Sequence, residues 1–471
     1  MATQISPNPI PTDKTLTLDP SIEWENNEDL LNKGYLMQEG VFTNNKEATL
    51  LNTDYIVSSN NFINNGTYNI SGGYWTIMSQ GVENNGKVII GNEQISAGQA
   101  DLNNFSDNGS EVGSIFTNNG SLEISHHFQI GDSNEVEPSD PSQNNSKSRL
   151  INTKSGQITI NEDGLIWNYH NFSNRGKVNN MGKIYTDLSN LEAAGFVNYG
   201  SYSGTGTVIG QWIDHGHVQP GTGKKGSVGG MLFNGDYQKK SGTTRVDVGG
   251  YSSALSNPKR AKHDWLQVTG DMEAGGKLRV RLTKNFQLKR RKLINIISVD
   301  GELSGQFEGL EEGALVGKFK GKKGRKEKLY ITYEAGDGND VALYTKGGFG
   351  KRIRGSEASD SITGTNKAER IYGSDGDELI NAGTGKDYAY GKGGKDTFKI
   401  DTGKGYVTIM DYVDGVDRMQ FCGCQGATSI ITKNGNAHIY KYLGIAGKED
   451  LQAVVLNTTA EGLSMEGIYI S

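Results

Sequence analysis

Five acidic residues stand nine apart in one stretch of the chain: Asp360, Glu369, Glu378, Asp387 and Asp396. Each is the sixth residue of a nine-residue unit: "GSEASDSIT", "GTNKAERIY", "GSDGDELIN", "AGTGKDYAY" and "GKGGKDTFK". A carboxylate is a hard, charged oxygen donor, and glycine lets a loop turn its backbone carbonyls toward a cation. Acid and glycine at this fixed interval therefore suit a hard divalent ion. Asp375, third in its unit, adds another candidate oxygen. The eighth positions are apolar, Ile362, Ile371, Ile380, Ala389 and Phe398, so each unit has one side chain to bury.

The frame resembles the G-G-x-G-x-D-x-U-x nonapeptide of RTX proteins, the hemolysin-type calcium-binding family of type I secretion. The resemblance implies a parallel β-roll in which six residues turn, three form a strand and two units complete one turn. Calcium is then expected between units two apart, grouping Asp360 with Glu378, Glu378 with Asp396, and Glu369 with Asp387, with Asp375 alongside. Two sixth positions carry Glu, several unit-leading glycines are replaced, and "KGGFGKRIR" (346–354) has basic residues, Lys351 at the sixth position and Arg352 after it, where the acid should be. A partly filled column of calcium is expected. "GYVTIMDYVDGVDRMQF" (405–421) resembles the segment that caps such rolls, and residues 435–471 resemble the region that holds an uncleaved type I signal. The N-terminal "MATQISPNPIPTDKTLTLDP" lacks a basic segment followed by an apolar one, so no cleaved secretory signal is expected there. The implied course is export unfolded, then folding on calcium outside the cell, where such sites bind at about 10⁻⁴–10⁻³ M.

The elements that must carry this roll lie before it. "FINNGTYNI" (62–70), "VENNGKVII" (82–90), "FTNNGSLEI" (116–124), "FSNRGKV" (172–178), "VNNMGKIY" (178–185) and "FVNYGSY" (196–202) share an apolar residue, an Asn-containing turn and an alternating run. Asn-Gly pairs accept the positive φ of tight turns, and alternation sends side chains in and out. A recurrence of about 16–20 residues is the mark of a solenoid, whose rungs bury a core only by stacking. We expect a right-handed parallel β-helix with stacked asparagines at its turns. "GDSNEVEPSDPSQNNSK" (131–147) breaks the pattern as an extruded polar loop.

Residues 200–345 resemble the passenger repeats of autotransporter adhesins and filamentous surface proteins, in the succession "PGTG", "NGDYQKKSG", "DWLQVTGDMEAGGKLRV" and "GNDVALYT". This implies that the β-helix continues. "GDGNDVAL" (336–343) is read as a turn and last rung rather than as a calcium repeat.

Composition narrows the function. The 471 residues carry 66 Gly, only 8 Pro and 34% hydrophobic residues, which fits a chain that turns often. The net charge of -6 does not suggest nucleic acid, and no apolar run reaches the roughly 18 residues of a membrane-spanning helix. Cys422 and Cys424 are the only cysteines, too few for a disulfide framework or a four-ligand zinc site. They read as two inert thiols, a strained disulfide or a cross-linking handle. Basic residues cluster at "KRRK" (289–292) and "KFKGKKGRKEK" (318–328), where Lys320, Lys322, Lys323 and Arg325 are candidates for docking anionic polysaccharide. For catalysis the best local group is "WIDHGHV" (212–218), read as a surface turn. G-x-S-x-G, HExxH and phosphate-binding loops are absent.

The expected fold class is all-β: a parallel β-helix solenoid over 26–345, preceded by an extended arm (1–25) and interrupted by the loop 131–148. A calcium-binding roll with its cap (346–421) and a β-rich secretion region (422–471) follow. The expected function is non-enzymatic: a secreted, calcium-binding structural or adhesive protein that associates with further copies of itself in filaments or sheets. The alternative is a secreted lyase or epimerase acting on uronate polymers.

Overall fold

A computed structural model describes the whole chain except residues 1–2, 7, 13, 79–80, 92–98, 103, 108–109, 132–147, 187–194, 223, 225, 252–260, 284, 322–324, 337–338, 356–360, 401–404, 422–427, 434, 443–448, 467–468 and 471. The polar loop, both cysteines, Lys322, Lys323 and Asp360 thus lie outside the described residues.

The alternation in the sequence becomes short strands joined by tight corners. Phe42–Asn44, Thr49–Asn52 and Tyr55–Ser58 make one turn, and Phe62–Asn64 returns in parallel register beside Phe42–Asn44. Repetition of this turn builds three sheets of thirteen, eleven and fifteen strands. The fold is a parallel β-solenoid. Its core is a set of columns, since residues in register share one face: Phe42, Phe62, Val82 and Phe116 in the first sheet, Leu50, Tyr68 and Val88 in the second, Ile56 and Trp75 in the third. Neighbouring rings touch along the columns, as in Phe172 on Phe196 at 4.5 Å and Phe196 on Trp212 at 5.3 Å. Each buried side chain of this size contributes about 1.5–3 kcal/mol.

The expected asparagine stacks are present and buried. Asn44 Nδ2 donates to Asn64 Oδ1 at 2.7 Å, Asn64 to Asn84 at 2.8 Å, and Asn84 to Asn118 at 2.8 Å. The ladder continues through Asn152 and Asn174 to Asn198, each link 2.7 Å. Several members also donate to the carbonyl that opens the second-sheet strand of the following rung, as Asn44 does to Thr67. Insertions lengthen individual turns without breaking the ladder: 20 residues separate Asn64 from Asn84, and 34 separate Asn84 from Asn118.

Both ends of the solenoid depart from expectation. Residues 1–25 were expected as an extended arm, but Thr3–Gln4 pairs with Trp24–Asn26 and Thr15–Leu18 pairs with Tyr35–Gln38, while Ile5, Ile10 and Leu18 enter the core. These three apolar side chains cover the first rung. At the other end, the last described parallel pairings lead to Leu293–Val299 and Leu303–Gly305. The third sheet then closes with an antiparallel meander of Leu315–Lys320, Lys326–Ala335 and Asp340–Thr345. "DVALYT" (340–345) is therefore an antiparallel strand, held by Asp340 Oδ1 accepting from the Val299 amide at 2.9 Å. An antiparallel end hides strand edges that another parallel rung would leave open.

The nonapeptides form a second, smaller solenoid. Lys351–Arg354, Glu369–Tyr372, Lys386–Tyr390 and Tyr406–Ile409 stack in parallel on one side. Ser361–Thr363, Leu379–Asn381, Thr397–Ile400 and Arg418–Phe421 stack on the other. Two units thus make one turn, and all five eighth-position side chains are buried in one cluster. Residues beyond 427 extend this body: Glu449–Val455 joins the first side in parallel, and Tyr469–Ile470 pairs antiparallel with Arg418–Phe421. Among the described residues no helix is long and apolar enough to cross a membrane.

Candidate metal centre

The sixth-position acids are the most buried charges of the roll: Glu369, Glu378 and Asp387 are 2% exposed and Asp396 is 1%. The turn geometry brings together two of the three expected pairs, Glu369 with Asp387 and Glu378 with Asp396; Asp360, of the third, lies outside the described residues. The Glu369 amide donates to Asp387 Oδ1 at 2.8 Å, and the Glu378 amide donates to Asp396 Oδ1 at 2.9 Å, each across 18 residues. Asp387 and Asp396 thus each accept from the backbone of the acid one turn before them. Asp375 stands apart, exposed on its loop beside Gly393.

Glu and Asp behave differently in this slot. Glu369 turns back onto its own loop and accepts from the Thr365 amide at 2.9 Å and the Thr365 hydroxyl at 2.5 Å. Glu378 does the same with the Ser374 amide at 2.9 Å and hydroxyl at 2.6 Å. The extra methylene makes this reach practicable. Asp387 has no such donor, because the matching loop position is Gly383, whose amide bonds Asn381, and its Oδ2 is buried without a partner. Burial pushes the Asp387 carboxyl up to about 6, with the Glu369 charge adding to the rise. Burial pushes Asp396 up to about 7, helped by Asp417, Glu378 and Asp411.

These features fit a bound calcium ion. A buried carboxylate oxygen has no donor, the acids repel one another, and space is kept open beside them. A Cβ on Gly391 would fall 2.1 Å from Asp396 Oδ2, and one on Gly373 would fall 2.5 Å from Glu378 Oε2. No three His, Cys, Asp or Glu side chains converge to hold a metal ion among the described residues, so each pair offers at most two carboxylates.

The acidic column extends past the nonapeptide frame, which hid its last members. The Asp396 amide donates to Asp417 Oδ1 at 2.9 Å across 21 residues, and Asp417 Oδ2 accepts from the Val413 amide at 2.8 Å. Asp411 accepts from the Gly391 and Lys392 amides at 2.8 and 2.9 Å. The acids of "DYVDGVD" were the available signal, but their spacing of 21 rather than 18 breaks the count.

The roll is fastened to the solenoid through charge. Glu334 of the closing meander accepts from Arg370 Nη1 at 2.6 Å and the Tyr372 hydroxyl at 2.8 Å, and it also pairs with Arg352. Arg370 lies over the Phe349 ring at 3.8 Å and is 6% exposed. Arg352, which follows the sixth-position Lys351, thus serves the junction.

Of the basic candidates, Lys320 and Arg325 are exposed on the hairpin of the meander. Lys318 faces Lys328 and Lys320 faces Lys326 across its strands. Directly opposed like charges destabilise a sheet. Tyr330 and Tyr344 stack at 5.5 Å beside them.

"WIDHGHV" does not form a surface turn throughout. Asp214 occupies the asparagine slot of the ladder, accepts from Asn198 Nδ2 at 2.8 Å and is fully buried. His215 stacks on Tyr199 at 5.0 Å, and His217 points outward from the second sheet.

No protein-family model matches the chain, and no curated protein matches it.

Proposed function

We propose that the chain is a calcium-binding structural or adhesive protein of the cell exterior, a surface-layer, matrix or filament subunit rather than an enzyme. The observation that carries this reading is the buried acid column, in which Asp387 Oδ2 has no partner. Asp387 and Asp396 hold the ion in this reading, with Glu369 and Glu378 bonded to their own loops as the second carboxylate of each pair. Calcium, when bound, supplies the positive charge that lets these carboxylates stay ionised together. Extracellular calcium suits sites of this type, and the resemblance of the frame to RTX repeats supports export by a type I route.

The opposed lysines of the hairpin support contact with an anionic extracellular surface, which would relieve their repulsion. With both ends of the solenoid covered, self-association into filaments or sheets would run through its lateral faces. Electron microscopy of the purified protein tests it: calcium-dependent filaments or sheets support the reading, and dispersed monomers at every calcium concentration contradict it. The alternative, a lyase or epimerase of uronate polymers, predicts unsaturated or epimerised products from such polymers.

A further inference from the structure

A cleft of about 560 Å³ opens on the outer face of the second sheet, away from the roll. Parallel register arranges its lining in two columns along the solenoid axis. One column runs Lys177, Ser201, His217, Thr243. The other runs Asn179, Ser203, Gln219 and ends at Arg245, whose Nη1 donates to Gln219 Oε1 at 3.3 Å. Lys224 overhangs the cleft, and no Asp or Glu is among its lining residues. Arg245 lies directly beside Arg279 on the next rung, so cations extend beyond the cleft.

Gln219 is the informative residue. It is 7% exposed, Arg245 holds its oxygen, and its Nε2 donor is buried with no partner. A buried donor costs about 1–3 kcal/mol when left unpaired, so this position is built for an acceptor the chain does not supply.

We infer that this cleft binds a linear acidic polysaccharide lying along the solenoid axis. Parallel strands repeat about every 4.8 Å, close to the length of one sugar residue, so successive sugars meet successive rungs in the same way. Arg245 and Lys177 take carboxylates, while Ser201, Ser203, Asn179 and Gln219 take hydroxyls and ring-substituent oxygens. The chemistry favours sugar over single-stranded nucleic acid, whose bases need aromatic faces to stack on. The aromatic residue lining the cleft is Tyr202, and its ring is 2% exposed, turned into the core. The inference rests on the extracellular reading for the presence of such a polymer, but on none of the roll residues.

The test is calorimetric titration of the full chain, in calcium, with a polyuronate oligosaccharide, a neutral oligosaccharide of equal length and a single-stranded DNA of equal charge. The polyuronate is expected to bind at least about tenfold tighter than either other probe, a difference that charge-assisted and hydrogen-bonded recognition supplies. Arg245→Gln is expected to weaken binding about tenfold, and Gln219→Met several-fold, with the thermal midpoint of Gln219→Met at or above that of the wild type because the unpaired donor is gone. Lys46→Gln removes the same single charge as Arg245→Gln at a distant exposed site and is expected to change nothing. The inference is overturned if polyuronate does not bind, if DNA binds as well, or if both cleft variants bind like the wild type. Calcium titrated into calcium-free samples of the same protein separates the two readings. Calcium binding without polyuronate binding removes the cleft alone, whereas polyuronate binding without calcium binding supports the cleft and removes the roll reading.

Discussion

Asp214 Oδ2 lies 2.5 Å from the Lys239 ammonium, and neither side chain is exposed. The pair ends the asparagine ladder. Asp214 Oδ1 accepts from Asn198 and from the Gly216 amide at 2.8 Å, while Oδ2 also accepts from the Tyr237 hydroxyl at 2.9 Å. Burial pulls the Lys239 ammonium below its ordinary range, with Asp214 opposing that pull. Asp214→Asn preserves the ladder's shape but strands the ammonium, and is expected to cost about 3–5 kcal/mol. Asp214→Asn with Lys239→Met is expected to recover most of that loss, because an apolar replacement of a buried pair is often neutral. Urea unfolding of both variants checks it, and equal losses would contradict it.

Within the ladder, Asn118 donates to Asn152 Oδ1 at 2.7 Å and accepts from Asn84 at 2.8 Å. Asn118→Ala leaves a buried donor above and a buried acceptor below. The expected loss is about 1–3 kcal/mol for each stranded group, read from the same unfolding curves.

Asp264 gives the solenoid a pH dependence. Both of its oxygens accept backbone amides, Gly229 at 3.0 Å and Asp247 at 2.8 Å. Burial pushes its carboxyl from the ordinary 3.8 up to about 8, with the Asp247 charge adding to the rise. A raised value means that the folded chain holds a proton the unfolded chain releases. The resulting stability is complete below pH 3.8 and is lost as pH rises through about 8. The thermal midpoint of the wild type is therefore expected to fall more between pH 6 and pH 9 than that of Asp264→Asn, whatever the variant's absolute stability. Parallel curves would contradict the assignment.

At the junction, Glu334 is the shared acceptor of Arg352, Arg370 and Tyr372. Glu334→Gln takes the counter-ion from Arg352 and leaves Arg370 with its longer contact to Glu312 at 3.5 Å. Calorimetric unfolding is expected to separate into two transitions, one for each solenoid, where the wild type shows one. A single transition at the wild-type midpoint would show that the bodies are joined by other contacts.

Much of this architecture is legible from residue spacing because solenoids make sequence period and spatial neighbour the same thing. Ile362, Ile371 and Ile380 stand nine apart and all reach the core. The asparagines that recur before glycine become the ladder. What escapes the sequence is the meaning of a substitution inside a slot. Asp214 reads as one more turn residue until Lys239, one rung later, is seen beside it. Glu378 reads as a poor aspartate until Ser374, within its own loop, is seen to satisfy it. The meander after Leu293 escaped because a strand buried on both faces has the same apolar run whether its neighbour is parallel or antiparallel. The cleft residues escaped because Lys177, His217 and Arg245 lie on separate rungs and share no local motif.

The most direct test of the account is a calcium titration of the full chain, followed by calorimetry and by the thermal midpoint, beside Asp387→Asn with Asp396→Asn. Saturable binding at about 10⁻⁴–10⁻³ M that raises the midpoint, and that the double variant loses, is the predicted result. No heat and no shift of the wild-type midpoint at calcium about tenfold above that range would contradict it.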